Sequence, residues 1–253
     1  MSTVNEVQYE GHGELALRAL LKAPRVIVRA SVGSTLDVAH DVAAHDAPGG
    51  TVIVADRQTA GRGRGGKSWA SEAGSGVWMS YVGRPLDPDA FAVLSLRTGI
   101  ALAALLEPLS REPIELKWPN DIFLNNEKLA GIIVEARWRN SIPDWVVIGI
   151  GVNLLRPESV PGATGLVAGT SRLDVLAACV EAARGAASAH GPLTTGELAA
   201  FAARDRAKGR ECIEPRPGIV AGINADGALL VRNGDQVSVV RSGSLTLLDE
   251  TAR

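Results

Sequence analysis

Before Gly209, apolar residues fall into short β-branched runs that alternate with longer helical ones. That alternation predicts a mixed β-sheet packed by helices, an α+β fold. Val26 to Arg29, Thr51 to Ala55, Val77 to Val82, Ile114 to Trp118 and Trp145 to Ile150 read as strands. Ile122-Phe123 and Lys128 to Glu135 flank the turn residues Asn125-Asn126 and read as a close pair. Glu14 to Lys22, Leu36 to Ala44, Phe91 to Leu106, Leu173 to Ala189 and Thr195 to Arg206 carry helical patterning. Ser34-Thr35 supplies N-cap chemistry for the second helix, with Asp37 in its first turn. Pro85 to Asp89 reads as a turn. After Gly209 the runs shorten, and Ala225-Asp226-Gly227, Asn233-Gly234 and Ser242-Gly243 punctuate them as hairpin turns. The expected organisation is a larger unit over 1–208 and a small β-barrel-like domain over 209–253.

Composition narrows the function classes. With 46% hydrophobic and 21% charged residues among 253, the chain has the make-up of a globular protein with a sizeable core. A net charge of −2 argues against a broad nucleic-acid or anionic-membrane footprint. Phe91 to Leu109 is the most apolar stretch, but it contains Arg97 and is interrupted by Gly99 and Pro108, so a buried core helix is expected rather than a membrane span. Cys179 and Cys212 show neither metal spacing nor a disulfide framework, which fits a reducing cytoplasm. The polar N-terminus has no signal-peptide pattern, and the segment before the first strand is too short for a helix-turn-helix domain.

The stretch GRGRGGKSW, Gly61 to Trp69, satisfies two phosphate-loop patterns formally, G-x-x-x-x-G-K-[ST] and G-x-G-x-x-G. Both require a helix immediately afterwards. Gly74 and Gly76 follow instead, then the strand from Val77. The stretch therefore reads as a basic loop between two strands, able to close over an anionic ligand with Arg62, Arg64 and Lys67. Three further segments join it: Ser34-Thr35, then Lys117-Trp118-Pro119-Asn120-Asp121 with Lys128 to Glu135 close behind, then Gly149-Ile150-Gly151-Val152-Asn153. Together they offer the cations Arg62, Arg64, Lys117 and Lys128, the carboxylate of Asp121, and the neutral groups of Ser34, Thr35, Gln58, Asn120 and Asn153. Such an inventory suits a reaction between two anions, whose repulsion at about 4 Å amounts to roughly 4 kcal/mol at an effective dielectric near 20. His12, His40, His45 and His190 all lie outside these segments, as do both cysteines, so covalent enzyme catalysis is not expected.

At these residues the sequence resembles the biotin–protein ligases. GRGRGGKSW is similar to that family's GRGRxGxxW loop, KWPND to its most distinctive motif, KLAGIIVE to a K-x-x-G-I-L-x-E strand and GIGVN to a G-x-G-x-N element. The resemblance implies a class II synthetase-like biotin/lipoate ligase fold with a small SH3-like C-terminal domain, in the form without an N-terminal DNA-binding domain. It implies that biotin and MgATP give biotinyl-5′-adenylate, and that a lysine of a biotin carboxyl carrier protein then takes the biotinyl group. Lys128, Arg62, Arg64 and Lys117 would be catalytic. Ser34, Thr35, Leu36, Gln58, Gly61, Arg62, Gly63, Arg64, Lys128 and Gly131 would meet biotin. Arg64, Lys67, Trp69, Lys117, Asn120, Lys128 and Asn153 would meet ATP, and Asp121 would take Mg²⁺. The resemblance leaves both a monomer and a homodimer open, and implies neither nucleic-acid nor membrane partners.

The chain departs from the family pattern at Leu36, where asparagine is usual, at Gly65-Gly66, where an extra arginine is common, and at Ser71-Glu72. Its final strand, Ser244 to Leu248, offers no arginine for a nucleotide contact. Three rivals remain. A lipoate–protein ligase would share the fold and the adenylation, a non-catalytic biotin sensor would release no pyrophosphate, and a P-loop NTPase would need a helix beginning near Lys67.

Overall fold

The structure is a computed structural model and describes residues 7–84, 87–140 and 142–250. The turn expected over 85–89 lies partly outside the described residues. Seven strands form the main sheet: β1 (Val26–Val32), β2 (Val52–Gln58), β3 (Gly76–Gly83), β4 (Ile114–Lys117), β5 (Asp121–Leu124), β6 (Glu127–Arg139) and β7 (Ile142–Asn153). Their order is β1-β2-β3-β7-β6-β5-β4, with β1 and β2 parallel and every other neighbour antiparallel. The strands read from the sequence are all present. β7 begins three residues earlier than the sequence suggests and runs through Asn153, so the glycine-rich GIGVN is strand throughout.

Helices cover the two faces unequally. α3 (Leu94–Leu106) and α4 (Arg172–Ser188) pack on one face with α1 (Glu14–Leu20) and α5 (Thr195–Ala202) around them. Side chains of β3, β6 and β7 that point that way, such as Met79, Ile132, Val146, Ile148, Ile150 and Val152, join the larger core. Among the described residues, the other face receives only α2 (Thr35–Ala44), over a small cluster of Ile27, Leu36, Ala39, Ala43, Ile53, Val82, Trp145 and Val147. Ser34 caps α2 by accepting from the Leu36 N–H, as the sequence suggested.

The apolar stretch is a core helix. By length and composition Pro88–Leu109 could cross a membrane, yet Arg97 within it is buried against Glu197 at 2.5 Å and donates to the Pro192 carbonyl at 2.9 Å. Edge strand β4 is covered by residues 204–206, whose backbone bonds Leu116 on both sides. After Gly209, β8 (Glu211–Glu214), β9 (Gly218–Ile223), β10 (Leu229–Asn233), β11 (Gln236–Val240) and β12 (Thr246–Leu247) form a second, antiparallel sheet, in keeping with the small barrel read from the turns.

Candidate active site

The site lies on the thinly covered face of the sheet, where alternation along β6 and β7 has replaced side chains by glycine. Ile150 and Val152 turn to the helices, so Gly149, Gly151 and Asn153 turn the other way. On β6 the same parity brings Gly131 and Ile133 to that face, and Gly131 pairs with Gly151 across the ladder. The Trp69 ring lies on this glycine floor. A Cβ on Gly151 would come within 2.6 Å of the indole nitrogen, and one on Gly131 within 3.0 Å of the ring. Leu36 sits over Gly149 in the same manner, 2.7 Å from where a Cβ would be. Leu36 is thus an apolar wall where the family pattern has an amide.

The basic loop is a tight hairpin. Gly63 N–H donates to the Lys67 carbonyl at 2.6 Å and Trp69 N–H to the Gly61 carbonyl at 2.8 Å. A 3₁₀ turn at Arg64–Gly66 closes the tip, with φ of +64° at Gly65 and +77° at Gly66, a region in which glycine is the unstrained residue. No helix begins at Lys67: the chain is irregular until β3 at Gly76. The P-loop reading fails on that geometry.

Around the floor is a hollow of about 450 Å³ including its open mouth, lined by Ser34, Thr35, Leu36, Gln58, Arg62, Gly63, Arg64, Trp69, Asn120, Lys128 and Gly131 among the expected residues. Its inner end is a fixed polar chain. Gln58 Oε1 accepts from Thr35 N at 2.8 Å and from Thr35 Oγ1 at 3.1 Å, while Gln58 Nε2 donates to Ser71 at 2.9 Å. Ser80 donates to Thr35 Oγ1 at 2.9 Å. These bonds determine which way the Gln58 amide faces. Cations ring the mouth. Lys128 Nζ stands 2.7 Å from Asp121 and 5.2 Å from the centre of the Trp69 ring. Arg62 bridges Asp37 at 2.9 Å and Glu135 at 3.2 Å. Arg64 reaches Asn120 at 3.4 Å and the Gly243 carbonyl of the small sheet at 3.5 Å. Asn120 is itself held by β6, donating to the Ile132 carbonyl at 2.8 Å.

Five expected residues do not line this hollow. Gly61 lies at the loop's neck, where a Cβ would meet the Trp69 carbonyl at 2.4 Å, so it is a spacer between chain segments. Lys67 is exposed on the loop. Lys117 is turned into an ion pair with Glu250 and lines a separate crevice beside Asn120 and Asp121. Asn153 is buried behind Lys128, donating to its backbone carbonyl at 3.5 Å. Asp121 stands beside Lys128, and no group of three or more histidine, cysteine or carboxylate side chains suited to a metal occurs among the described residues. A lone carboxylate still fits Mg²⁺, which keeps several waters and takes its remaining ligands from phosphates.

Sequence reading placed Gly149 and Gly151 in a site segment without giving them the floor, and it missed Met79, Ile132, Ile133 and Ile150 as walls and the acids Asp37 and Glu135 that hold Arg62. The alternation of GIGVN carried the glycine signal. Arg241 was missed as well: it lines a second hollow with Arg64, Trp118 and Ile133, so the small sheet does bring an arginine toward the site. Burial pushes the thiols of Cys179 and Cys212 above the ordinary cysteine range, consistent with chemistry that does not use them.

Comparisons with known proteins cover the segments that build the hollow. Residues 29–153 match the family described as Biotin/lipoate A/B protein ligase. The chain is 36% identical over 146 residues to the bifunctional ligase/repressor BirA of Bacillus spizizenii, covering 57% of this chain and 45% of that one. It is 36% identical over 149 residues to the biotin–[acetyl-CoA-carboxylase] ligase of Mycobacterium tuberculosis, covering 56% of this chain and 50% of that one. These alignments span about half the length of each relative. In fold, the chain is similar to the biotin protein ligase of Aquifex aeolicus in complex with biotin and ATP, with TM-score 0.72 and 24% identity over 88% of this chain and 98% of that one. A second likeness is to the Leishmania major biotin protein ligase in complex with biotinyl-5-AMP, with TM-score 0.61, 24% identity and 87% and 99% coverage. Over residues 29–153 the chain carries the domain of the biotin/lipoate A/B protein ligase family.

Proposed function

We propose that the protein is an ATP-dependent biotin–protein ligase, with a catalytic unit over 1–208 and a small accessory domain over 209–253. The observation that carries this reading is the convergence of Arg62, Arg64 and Lys128 on one hollow whose inner end is a fixed Thr35–Gln58 polar chain. A neutral cyclic urea suits that inner end, because Ser34, Thr35 and Gln58 offer donors and acceptors without net charge. The carboxylate at the other end of biotin then falls among the cations.

In the first step the biotin carboxylate oxygen forms a bond to the α-phosphorus of ATP as the bond to pyrophosphate breaks. Arg62, Arg64 and Lys128 lower the repulsion between the two anions. Asn120, Ile132 and Trp69 border the nucleotide. Lys128 leaves Asp121 for the reacting oxygens; Asp121 would then hold Mg²⁺, which would supply charge neutralisation on the phosphates. Lys67 reaches the nucleotide as the loop closes, Lys117 after parting from Glu250, and Asn153 acts by steadying the backbone of Lys128. In the second step the lysine amine of a carrier domain attacks the biotinyl carbonyl carbon, the C–N bond forms, and AMP leaves with the mixed-anhydride electrons.

A biotin carboxyl carrier protein, ATP, Mg²⁺ and biotin test the reading together. Biotinylated carrier and biotin-dependent pyrophosphate release are expected. A folded enzyme that modifies no carrier lysine overturns it, and lipoate outcompeting biotin moves the assignment to a lipoate ligase. Past Gly131, β6 has no strand beside it on its β5 side among the described residues, which supports testing for a homodimer by sedimentation.

A further inference from the structure

Arg62 is held from behind by a chain of hydrogen bonds that begins in the small core. Trp145, 7% exposed and packed under the Arg84 guanidinium at 5.0 Å, places its indole N–H 3.0 Å from His40 Nδ1. An indole nitrogen can only donate, so Nδ1 must accept and cannot carry a proton. The proton of the neutral ring therefore sits on Nε2, which lies 2.9 Å from Glu135 Oε2. Both carboxylate oxygens of Glu135 then face Arg62, at 3.2 Å and 3.3 Å. Asp37, one turn before His40 on α2, takes the same guanidinium at 2.9 Å.

From this geometry we propose that His40 is a positioning residue, whose fixed tautomer orients Glu135 and so holds the Arg62 guanidinium over the ligand hollow. The proposal rests on the biotin reading above for its functional consequence, and on the hydrogen-bond chain alone for its structural one. Neither His40 nor Trp145 lines the hollow, so their effect on ligand passes through Glu135 and Arg62. The arrangement predicts an asymmetry between the two ring nitrogens. A glutamine amide reaches about as far as Nε2, whereas an asparagine amide replaces Nδ1.

Biotin-dependent pyrophosphate release by His40→Ala, His40→Asn and His40→Gln tests this. Alanine and asparagine are expected to raise the biotin KM about tenfold and to lower kcat about threefold, because Arg62 serves both binding and the first chemical step. Glutamine is expected to return KM to within about threefold of wild type. Rescue by asparagine and not by glutamine would mean that His40 serves Trp145 alone, and overturns the proposal. Two readouts do not need activity. The ¹⁵N pattern of His40 is expected to show the Nε2–H tautomer, and the Arg62 guanidinium signal is expected to be restricted in wild type and averaged in His40→Ala. An Nδ1–H ring or an unchanged Arg62 signal overturns the positioning role. A wild-type protein that releases no pyrophosphate with biotin, yet shows both signals, removes the functional reading and leaves the positioning role standing. Should His40→Ala not fold, Glu135→Gln is expected to give the same averaged Arg62 signal and raised KM, and retention of both wild-type values there counts against the proposal.

Discussion

The two faces of the main sheet are made by the same strands and do opposite work. Toward α3 and α4, β7 presents Val146, Ile148, Ile150 and Val152, all buried in the larger core. Toward α2, alternate positions of the same strand present Val147 and then Gly149, Gly151 and Asn153. One face fills its space with methyl groups and gains stability from their burial. The other gives up side chains so that Trp69 and Leu36 can lie against the backbone beside an open hollow. Charge divides in the same way. The helical face holds the buried Arg97–Glu197 pair, whereas the ligand face holds Arg62, Arg64 and Lys128, each with a partner that solvent or a ligand can replace.

Neighbouring substitutions on β7 should separate stability from activity. In Gly151→Val the new side chain would collide with the Trp69 indole, already 2.6 Å from an added Cβ, and push it into the hollow. Adenylate formation is expected to fall about a thousandfold, or roughly 4 kcal/mol of transition-state stabilisation. Ile148→Ala, three residues away, is expected to lower unfolding free energy by about 2–5 kcal/mol and leave the biotin KM of the folded fraction unchanged. Denaturant titration and pyrophosphate release on both variants check this. Equal losses of both kinds in both proteins would erase the distinction between the faces.

The helical face was legible from the chain because its signals are local. β-branched runs, Asn125-Asn126 and the buried course of Phe91 to Leu106 all follow from neighbours within a turn or two. On the ligand face the motif residues were legible as a group, and eleven of them do line one hollow, from Ser34 through Gly131. Their pairings were not. Lys117 reads as an alternating strand residue, but its partner Glu250 comes from the far end of the chain. Asp37, His40 and Glu135 converge on Arg62 from α2 and β6, across separations that no periodicity records. The floor glycines were visible as a site segment, but their place as the floor follows from the pairing of β7 with β6, which puts Gly131 opposite Gly151.

Lys128 sharpens the contrast from the ligand side. Its ammonium is a third exposed and covers the buried Oδ1 of Asp121 at 2.7 Å, so truncating Lys128 to alanine opens that oxygen to the hollow. Exposed or half-exposed pairs contribute about 0–1 kcal/mol to folding. A cation aimed at developing charge on a phosphate is worth far more in the reaction, and Lys128→Ala is expected to slow adenylate formation about a hundredfold. The melting temperature is expected to stay within about 3 °C of wild type. Matching thermal and catalytic losses would make Lys128 a strand-edge charge and nothing more.

The smallest expected effect comes from the Arg97–Glu197 pair of the helical face, and it should appear in pH rather than in turnover. Burial pushes the Glu197 carboxyl up, but the hydrogen bonds from Arg97 and Thr194 outweigh it and hold the group below the ordinary value of 4.5. The folded state therefore binds this proton less readily than the unfolded chain. The resulting stabilisation is present above pH 4.5 and drains away as pH falls below that value through the lower folded one. Glu197→Gln removes the titration and keeps an oxygen for Arg97 and Thr194. Its melting temperature is expected to be lower than wild type at neutral pH and to fall less steeply on acidification, so that the two curves converge in acid. Because Glu197 joins α5 to α3 and is absent from the hollow, the biotin KM at neutral pH should not move. A shift in that KM would show the two faces to be coupled through the sheet. Parallel melting curves at all pH values would show that the pair contributes by packing and hydrogen bonding alone.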